Sequence, residues 1–315
     1  MERILVVGAG ATGGYFGARL AQAGRDVTFL VRPPRAELLR EQGLRLTGPA
    51  EDEVLHPRVV TAGELAEPYD IVLISVKADA LSAAADDMAP AVGPQTLVVP
   101  FLNGMAHLDL LGERFGPAVL GGVVRVVTQL GADGAIVQLA PGADMVIGER
   151  GGGRSERVDA AGRVLKADGY DFTVSDDVVG AMWQKWVFIA TAMAVTYLAG
   201  GTVGEAAAVV GGPEAATAIL TEAASVARAA GHPVPGGVFA ATDAVMTRPG
   251  SPFAPSMYRD LTAGRPAEVE HVLGDLVARA HDLSVPVPRL ELAAVRGRVH
   301  NNRIAIAAAQ DRTAS

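Results

Sequence analysis

Lys185 stands in Ala181-Met-Trp-Gln-Lys-Trp-Val-Phe188, and helical spacing puts Ile189 and Met193 on its face, one and two turns further on. Partly desolvating an ammonium group disfavours its charged form and lowers its pKa. That suits the group to pass a proton to a carbonyl oxygen as a hydride arrives. The alternative is a lysine that snorkels to solvent from a helix end. A second chemistry-bearing stretch opens the chain. Gly8-Ala-Gly-Ala-Thr-Gly13 follows an apolar β-branched run over residues 4–7 and precedes a helical pattern (Tyr15, Phe16, Leu20) that closes at Gly24. In a dinucleotide site, Gly8 permits the tight turn, Gly10 lets the backbone approach a pyrophosphate, and Gly13 lets helix and strand pack closely. The helix N-terminus offers N–H groups and a positive dipole end to the phosphates. Glycine-rich turns are common, but strand, glycines, helix and a second strand over 26–31 arrive here in the required order.

Arg32 closes that second strand, where an NAD site carries Asp or Glu to hold the ribose hydroxyls. A guanidinium pairs with a 2′-phosphate that a carboxylate would repel, so Arg32, with Arg35 close behind, favours NADP over NAD. The competing reading is a surface arginine before a Pro-Pro turn. Strong strands over 70–76 and 97–100 lead to Lys77 and Asn103. Ligands of open α/β sheets lie beyond the carboxyl ends of strands, which is where these two side chains fall. Lys77 reads equally as a solvated lysine at a helix start, and Asn103-Gly104 is also a hairpin signal, though a helical segment over 105–115 follows it. Ser256, after Pro255, and Glu268, after Pro266, are weak signals. One fits a helix N-cap and the other a first-turn acid favoured by the dipole. The six histidines are scattered without metal-ligand spacing, so no metal site is expected.

These residues need elements to hold them. With 315 residues, 50% of them hydrophobic and 20% charged, the chain is long and apolar enough for two folded domains. Its net charge of −8 argues against a nucleic-acid or anionic-membrane surface. The absence of cysteine excludes disulfides and thiolate chemistry. No signal-peptide pattern opens the chain, and the apolar stretch 186–199 is too short for a bilayer, so a cytoplasmic protein is expected. Short strands over 119–127, 135–139 and 145–147 read as a small antiparallel extension of the sheet, followed by a Gly151–Gly153 loop, a helix from Ser155 to Lys166 and a strand over 172–174. Beyond residue 177 the pattern is helical: 178–198, 213–230, 237–246, 256–261, 267–283 and 289–309. The fold class expected is α/β: a Rossmann-type NADP-binding domain over 1–177, then an all-helical substrate domain over 178–315, with the active site in the cleft between them. The apolar helices are compatible with a homodimer.

Taken together, Gly8-Ala-Gly-Ala-Thr-Gly13, Leu30-Val-Arg32, Ser75-Val-Lys77, Leu102-Asn-Gly104, Trp183-Gln-Lys185, Pro255-Ser-Met-Tyr-Arg-Asp260, and Glu268 before Gly274 give the chain a nearly end-to-end pattern. It resembles the ketopantoate reductase (2-dehydropantoate 2-reductase) family. The resemblance implies a helical C-terminal domain akin to that of 6-phosphogluconate dehydrogenase. It implies NADPH held by Gly8, Ala9, Gly10, Ala11, Thr12, Gly13, Arg32, Lys77 and Asn103. It also implies Lys185 as general acid, Ser256 as a contact to the substrate carboxylate, and Glu268 as a catalytic group near the ribose and substrate hydroxyls. The implied reaction reduces a 2-oxo acid, ketopantoate to pantoate in pantothenate biosynthesis being the family default.

One departure bears on the substrate. The family places asparagines after the lysine where this chain carries Ile189, Met193 and Val203. Aliphatic groups supply none of the hydrogen bonds those amides make, each worth ~0.5–1.5 kcal/mol net. The small-molecule carbonyl substrate is therefore open to a more apolar ketone, 2-oxo acid or imine, with Asn103, Lys185, Ile189, Met193 and Ser256 around it. A non-catalytic NADP(H) sensor is the reading from another class, and retention of Lys185, Ser256 and Glu268 speaks against it.

Overall fold

The computed structural model describes residues 2–48 and 51–314, with side chains described through residue 310. The chain divides into two compact units, Met1–Leu102 with His107–Val179, and Asn103–Ala106 with Gly180–Ser315. Asn103 and Gly104, which directly follow a strand of the first unit, are thus grouped with the helical one.

In the first unit, β1 (Arg3–Val7) leads through the glycine loop into α1 (Ala11–Gln22) and β2 (Asp26–Leu30). Next come α2 (Pro33–Gln42), β3 (Leu44–Gly48), β4 (Glu51–Leu55), β5 (Arg58–Val60) and β6 (Ile71–Ile74). The helix α3 (Leu81–Met88) and strand β7 (Leu97–Pro100) follow. One sheet has the order β5-β2-β1-β6-β7 and is parallel throughout. A parallel sheet is covered on both faces, so its strands carry unbroken apolar runs. β6 and β7 are buried at every residue.

After α4 (Ala106–Phe115) the chain forms β8 (Gly121–Leu130), β9 (Ile136–Gly148), α5 (Glu156–Leu165) and β10 (Asp171–Val174). These strands do not extend the first sheet as the sequence suggested. They build a second one, β10-β9-β3-β4, with β8 antiparallel to β9. The expected separate strands 135–139 and 145–147 are one strand. Val126 pairs with Ala143 but Thr128 with Gln138, so β9 loops out between them and carries Pro141 and Gly142 at the bulge. The expected strand list also lacked β3, β4 and β5. Glu-Asp-Glu-Val-Leu in β4 is mostly exposed and has no apolar face to register as a periodicity.

Helix α1 lies against both sheets by means of small residues. A Cβ on Gly17 would stand 2.4 Å from the Phe29 ring and one on Gly14 2.6 Å from Ile136, so only glycine lets the helix approach so closely. Tyr15 and Phe16 fill the space beside them, fully buried, with Phe16 also against Tyr170 and Phe101.

The second unit is helical: α6 (Val178–Ala199), α7 (Val203–Ala207), α8 (Gly212–Ala229), α9 (Gly236–Met246), α10 (Ser256–Thr262), α11 (Asp275–Asp282) and α12 (Pro288–Ala314). α6 is apolar around its circumference because it is the core helix, with Ala190, Ala192, Met193, Ala194 and Tyr197 all buried. Its 22 residues match the helix expected over 178–198 to within one residue, and, although the apolar stretch 186–199 alone is too short for a bilayer, the whole helix is by length and composition long and apolar enough to cross a membrane. Its most apolar window is 61% buried inside the protein, as expected of a core helix. The short helix α7 was not foreseen. Thr202 and Glu205 form a capping box at its start. The helix expected over 267–283 begins instead as a π-turn over Glu270–Gly274 and only then becomes α11.

Candidate active site

Around the glycine loop, each glycine does a separate task. Gly8 has φ +97, and its N–H donates to the Leu30 carbonyl at 2.9 Å, which makes the tight turn out of β1. A Cβ on Gly13 would lie 2.3 Å from the Gly8 carbonyl oxygen and 2.8 Å from Ser75 Cβ, so Gly13 closes helix onto strand. Around Gly10 the opposite holds: a Cβ there meets nothing within 4 Å. Gly10 is also the N-cap of α1, with no side chain capping the helix, so its first-turn N–H groups are not covered by a side-chain oxygen. An open cradle in front of an uncapped helix N-terminus fits a dinucleotide pyrophosphate. Ala11 and Thr12 are partly exposed in the first turn of α1, while Ala9 is buried behind the loop.

Arg32 and Lys77 are both exposed and follow the carboxyl ends of β2 and β6, the two neighbours of β1. Loop, Arg32 and Lys77 thus share one edge of the sheet, where α/β folds bind nucleotides. Arg35, which the sequence paired with Arg32 as a phosphate ligand, does something else. Its Nη2 donates to the carbonyls of Ala9 at 3.2 Å and Gly134 at 2.9 Å, and burial pulls its pKa below the usual arginine value. It braces the glycine loop from behind.

In the helical unit, Lys185 lies in the third turn of α6, half-buried, and not at a helix end. Ile189 on the same face is also half-buried, and Met193 is completely so. Trp186, next to Lys185, packs at a tilt against Trp183, 4.9 Å between ring centroids, and donates its indole N–H to the Val272 carbonyl at 2.9 Å. Val272 belongs to the π-turn, and its own N–H donates to the Glu268 carbonyl at 3.2 Å. Gly104 abuts the same turn. Its φ is +79, and a Cβ there would stand 2.3 Å from the His271 carbonyl and 3.9 Å from the Trp186 indole nitrogen. Trp186 and Gly104, which adjoin Lys185 and Asn103 in sequence, thus both meet the π-turn whose Val272 N–H bonds the Glu268 carbonyl.

Ser256 is exposed and is the first residue of α10, not its N-cap. Pro255 takes that position, and the serine hydroxyl points to Met257 Sδ at 3.2 Å. Val203 is fully buried at the start of α7, its N–H donating to the Phe253 carbonyl at 3.0 Å. Among the described residues no group of three His, Asp or Glu side chains gathers in a way that could hold a metal. The roles of Trp186, Gly104 and Arg35 escaped sequence reasoning, because they depend on backbone carbonyls that only the folded chain delivers.

The ketopantoate reductase PanE/ApbA family model matches residues 4–152, and the ketopantoate reductase PanE/ApbA C-terminal model matches residues 177–296. The chain belongs to the ketopantoate reductase family. Among relatives of this family member, the uncharacterized oxidoreductase YkpB of Bacillus subtilis is 33% identical over 290 residues, 92% of this chain and 95% of that protein. The 2-dehydropantoate 2-reductase of Mesorhizobium japonicum is 29% identical over 320 aligned positions, covering 93% and 97%. The PanE/ApbA family ketopantoate reductase of Ralstonia eutropha JMP134 superimposes with a TM-score of 0.86 at 27% identity, over 96% of this chain and 99% of that one. Membership makes the protein an oxidoreductase of the 2-dehydropantoate 2-reductase family, built as a Rossmann-type unit followed by a helical one.

Proposed function

We propose that this enzyme acts in the cytoplasm as an NADPH-dependent reductase of a 2-oxo acid. The observation that supports the reading is the junction in the helical unit where Trp186, beside Lys185, and Gly104, beside Asn103, both meet the π-turn that follows Glu268. Gly10 and the N-terminus of α1 would hold the pyrophosphate, and Arg32 the 2′-phosphate. No acidic side chain stands at the end of β2 to select NAD. A bound reduced nicotinamide would supply a hydride to the carbonyl carbon. The Lys185 ammonium would give its proton to the carbonyl oxygen as the electron pair moves onto that oxygen. The neutral amine then recovers a proton from solvent. Asn103 and Glu268 orient the reacting groups by hydrogen bonding, and Ser256 receives the substrate carboxylate.

Ketopantoate is the substrate that family membership suggests first. Ile189, half-buried one turn from Lys185, favours a 2-oxo acid with a larger apolar group, since it offers no hydrogen bond to a substrate hydroxyl. Oxidation of NADPH and of NADH, followed against a panel of 2-oxo acids that includes ketopantoate, tests both parts. Turnover should be fastest with NADPH and an apolar 2-oxo acid. Absence of turnover with every acid would favour a nucleotide-sensing role.

A further inference from the structure

The stretch 263–268 between α10 and the π-turn has no regular hydrogen-bonding ladder, yet it delivers Glu268. Three features of α12 hold it. The Asn301 carboxamide grips one residue at both of its backbone groups: Nδ2 donates to the Ala267 carbonyl at 2.9 Å, and Oδ1 accepts from the Ala267 N–H at 3.0 Å. One residue earlier on the helix, the His300 Nε2 meets the Arg265 carbonyl at 2.9 Å. One turn earlier, Gly297 leaves space for Val269, because a Cβ there would lie 2.6 Å from a Val269 methyl. The other end of the stretch is tied by Arg265, whose N–H donates to the Asp260 carbonyl at 2.8 Å and whose side chain pairs with the Asp260 carboxylate.

We propose that Asn301 is a positioning residue for Glu268. Ala267 is buried, so its N–H needs a protein partner, which Asn301 supplies, while its carbonyl accepts from both Asn301 and the Val269 N–H, the latter at 2.8 Å; Pro266 before it has no N–H to contribute. A carboxamide is the side chain that can donate and accept at once, which fixes the peptide plane on both sides of Ala267. Fixing that plane fixes the direction in which the next residue leaves the chain, and the next residue is Glu268. The inference rests on the reading that Glu268 acts on the bound reactants.

The test compares Asn301→Ala, Asn301→Asp, Glu268→Gln and the double variant Glu268→Gln/Asn301→Ala in the full-length enzyme. The assay is NADPH oxidation with the best 2-oxo acid of the panel, alongside amide hydrogen exchange at Ala267 and Glu268. Asn301→Ala should lower kcat by about 10–100-fold, the range expected of a displaced catalytic group. It should also speed exchange at Ala267, while adding almost nothing to the loss already caused by Glu268→Gln. Asn301→Asp, which keeps the acceptor and drops the donor, should fall between wild type and alanine, and it carries the test if the alanine variant does not fold. Wild-type kcat and KM in a folded Asn301 variant with faster exchange would reduce the clamp to a structural role and overturn the proposal. A Glu268→Gln enzyme with unchanged kcat would instead overturn the reading beneath it.

Discussion

Trp186 donates its indole N–H to the carbonyl of Val272, 86 positions further along the chain, and so ties the helix carrying Lys185 to the π-turn that follows Glu268. Both residues are buried, so the bond is shielded from water and leaving it unmade is costly. Trp186→Phe should cost about 1–3 kcal/mol, the range for stranding a buried acceptor, measured as a shift in denaturant midpoint. Because the bond also anchors the helix that carries Lys185 to the turn that follows Glu268, kcat should fall by more than KM changes. A variant with unaltered stability would show that water replaces the indole at Val272.

Two glycines of one motif should respond in opposite ways. Gly10→Val should fold normally and lose affinity for NADPH, because its side chain would enter the open cradle rather than the protein. Gly13→Val should impair folding, since even a Cβ there lands on the Gly8 carbonyl and Ser75. Circular dichroism melts and NADPH fluorescence titrations separate the two. Tight NADPH binding by Gly10→Val would remove the glycine loop from the nucleotide site.

Arg32→Ala should weaken NADPH binding by more than tenfold and leave NADH binding almost unchanged, as an exposed guanidinium is free to pair with the extra phosphate. Arg35→Ala should weaken both cofactors alike, because its guanidinium holds the Ala9 and Gly134 carbonyls behind the loop. Equal losses for the two cofactors in Arg32→Ala would show that this arginine does not read the phosphate.

Lys185→Ala should retain NADPH binding and lose kcat by roughly 10²–10⁴-fold, the usual worth of a positioned acid. The aliphatic face beside it splits into two cases. Ile189→Asn, at a half-buried position, should raise kcat/KM for ketopantoate relative to apolar 2-oxo acids. Met193→Asn should mainly destabilise, because Met193 is fully enclosed and an amide there would be buried without designed partners. Efficient ketopantoate turnover by the wild-type enzyme would show that other groups supply the missing hydrogen bonds.

Much of this protein was legible in residue types and spacing. The glycine loop could be read because Gly8, Gly10 and Gly13 act on the backbone within a few residues of themselves, and such local demands are written in local sequence. The parallel strands could be read because double-sided burial leaves unbroken apolar runs, and the helical half because its patterns recur at helical period. Lys185 stood out by residue type and neighbourhood, Glu268 only weakly, and family resemblance supplied the expected roles of both. Other features were decided by the tertiary structure. The strand Glu51–Leu55 is charged and takes its conformation from pairing with Leu44–Gly48, so no periodicity announced it. The bulge in the long strand over 136–148 depends on its partner's register at Val126 and Thr128. The grips of Asn301 on Ala267, Trp186 on Val272 and Arg35 on Ala9 are all made to backbone groups of distant residues. Every residue carries the same backbone donor and acceptor, apart from proline's missing N–H, so nothing in the identity of Ala267 or Val272 marks it as a partner. Only the folded chain selects which carbonyl each side chain meets.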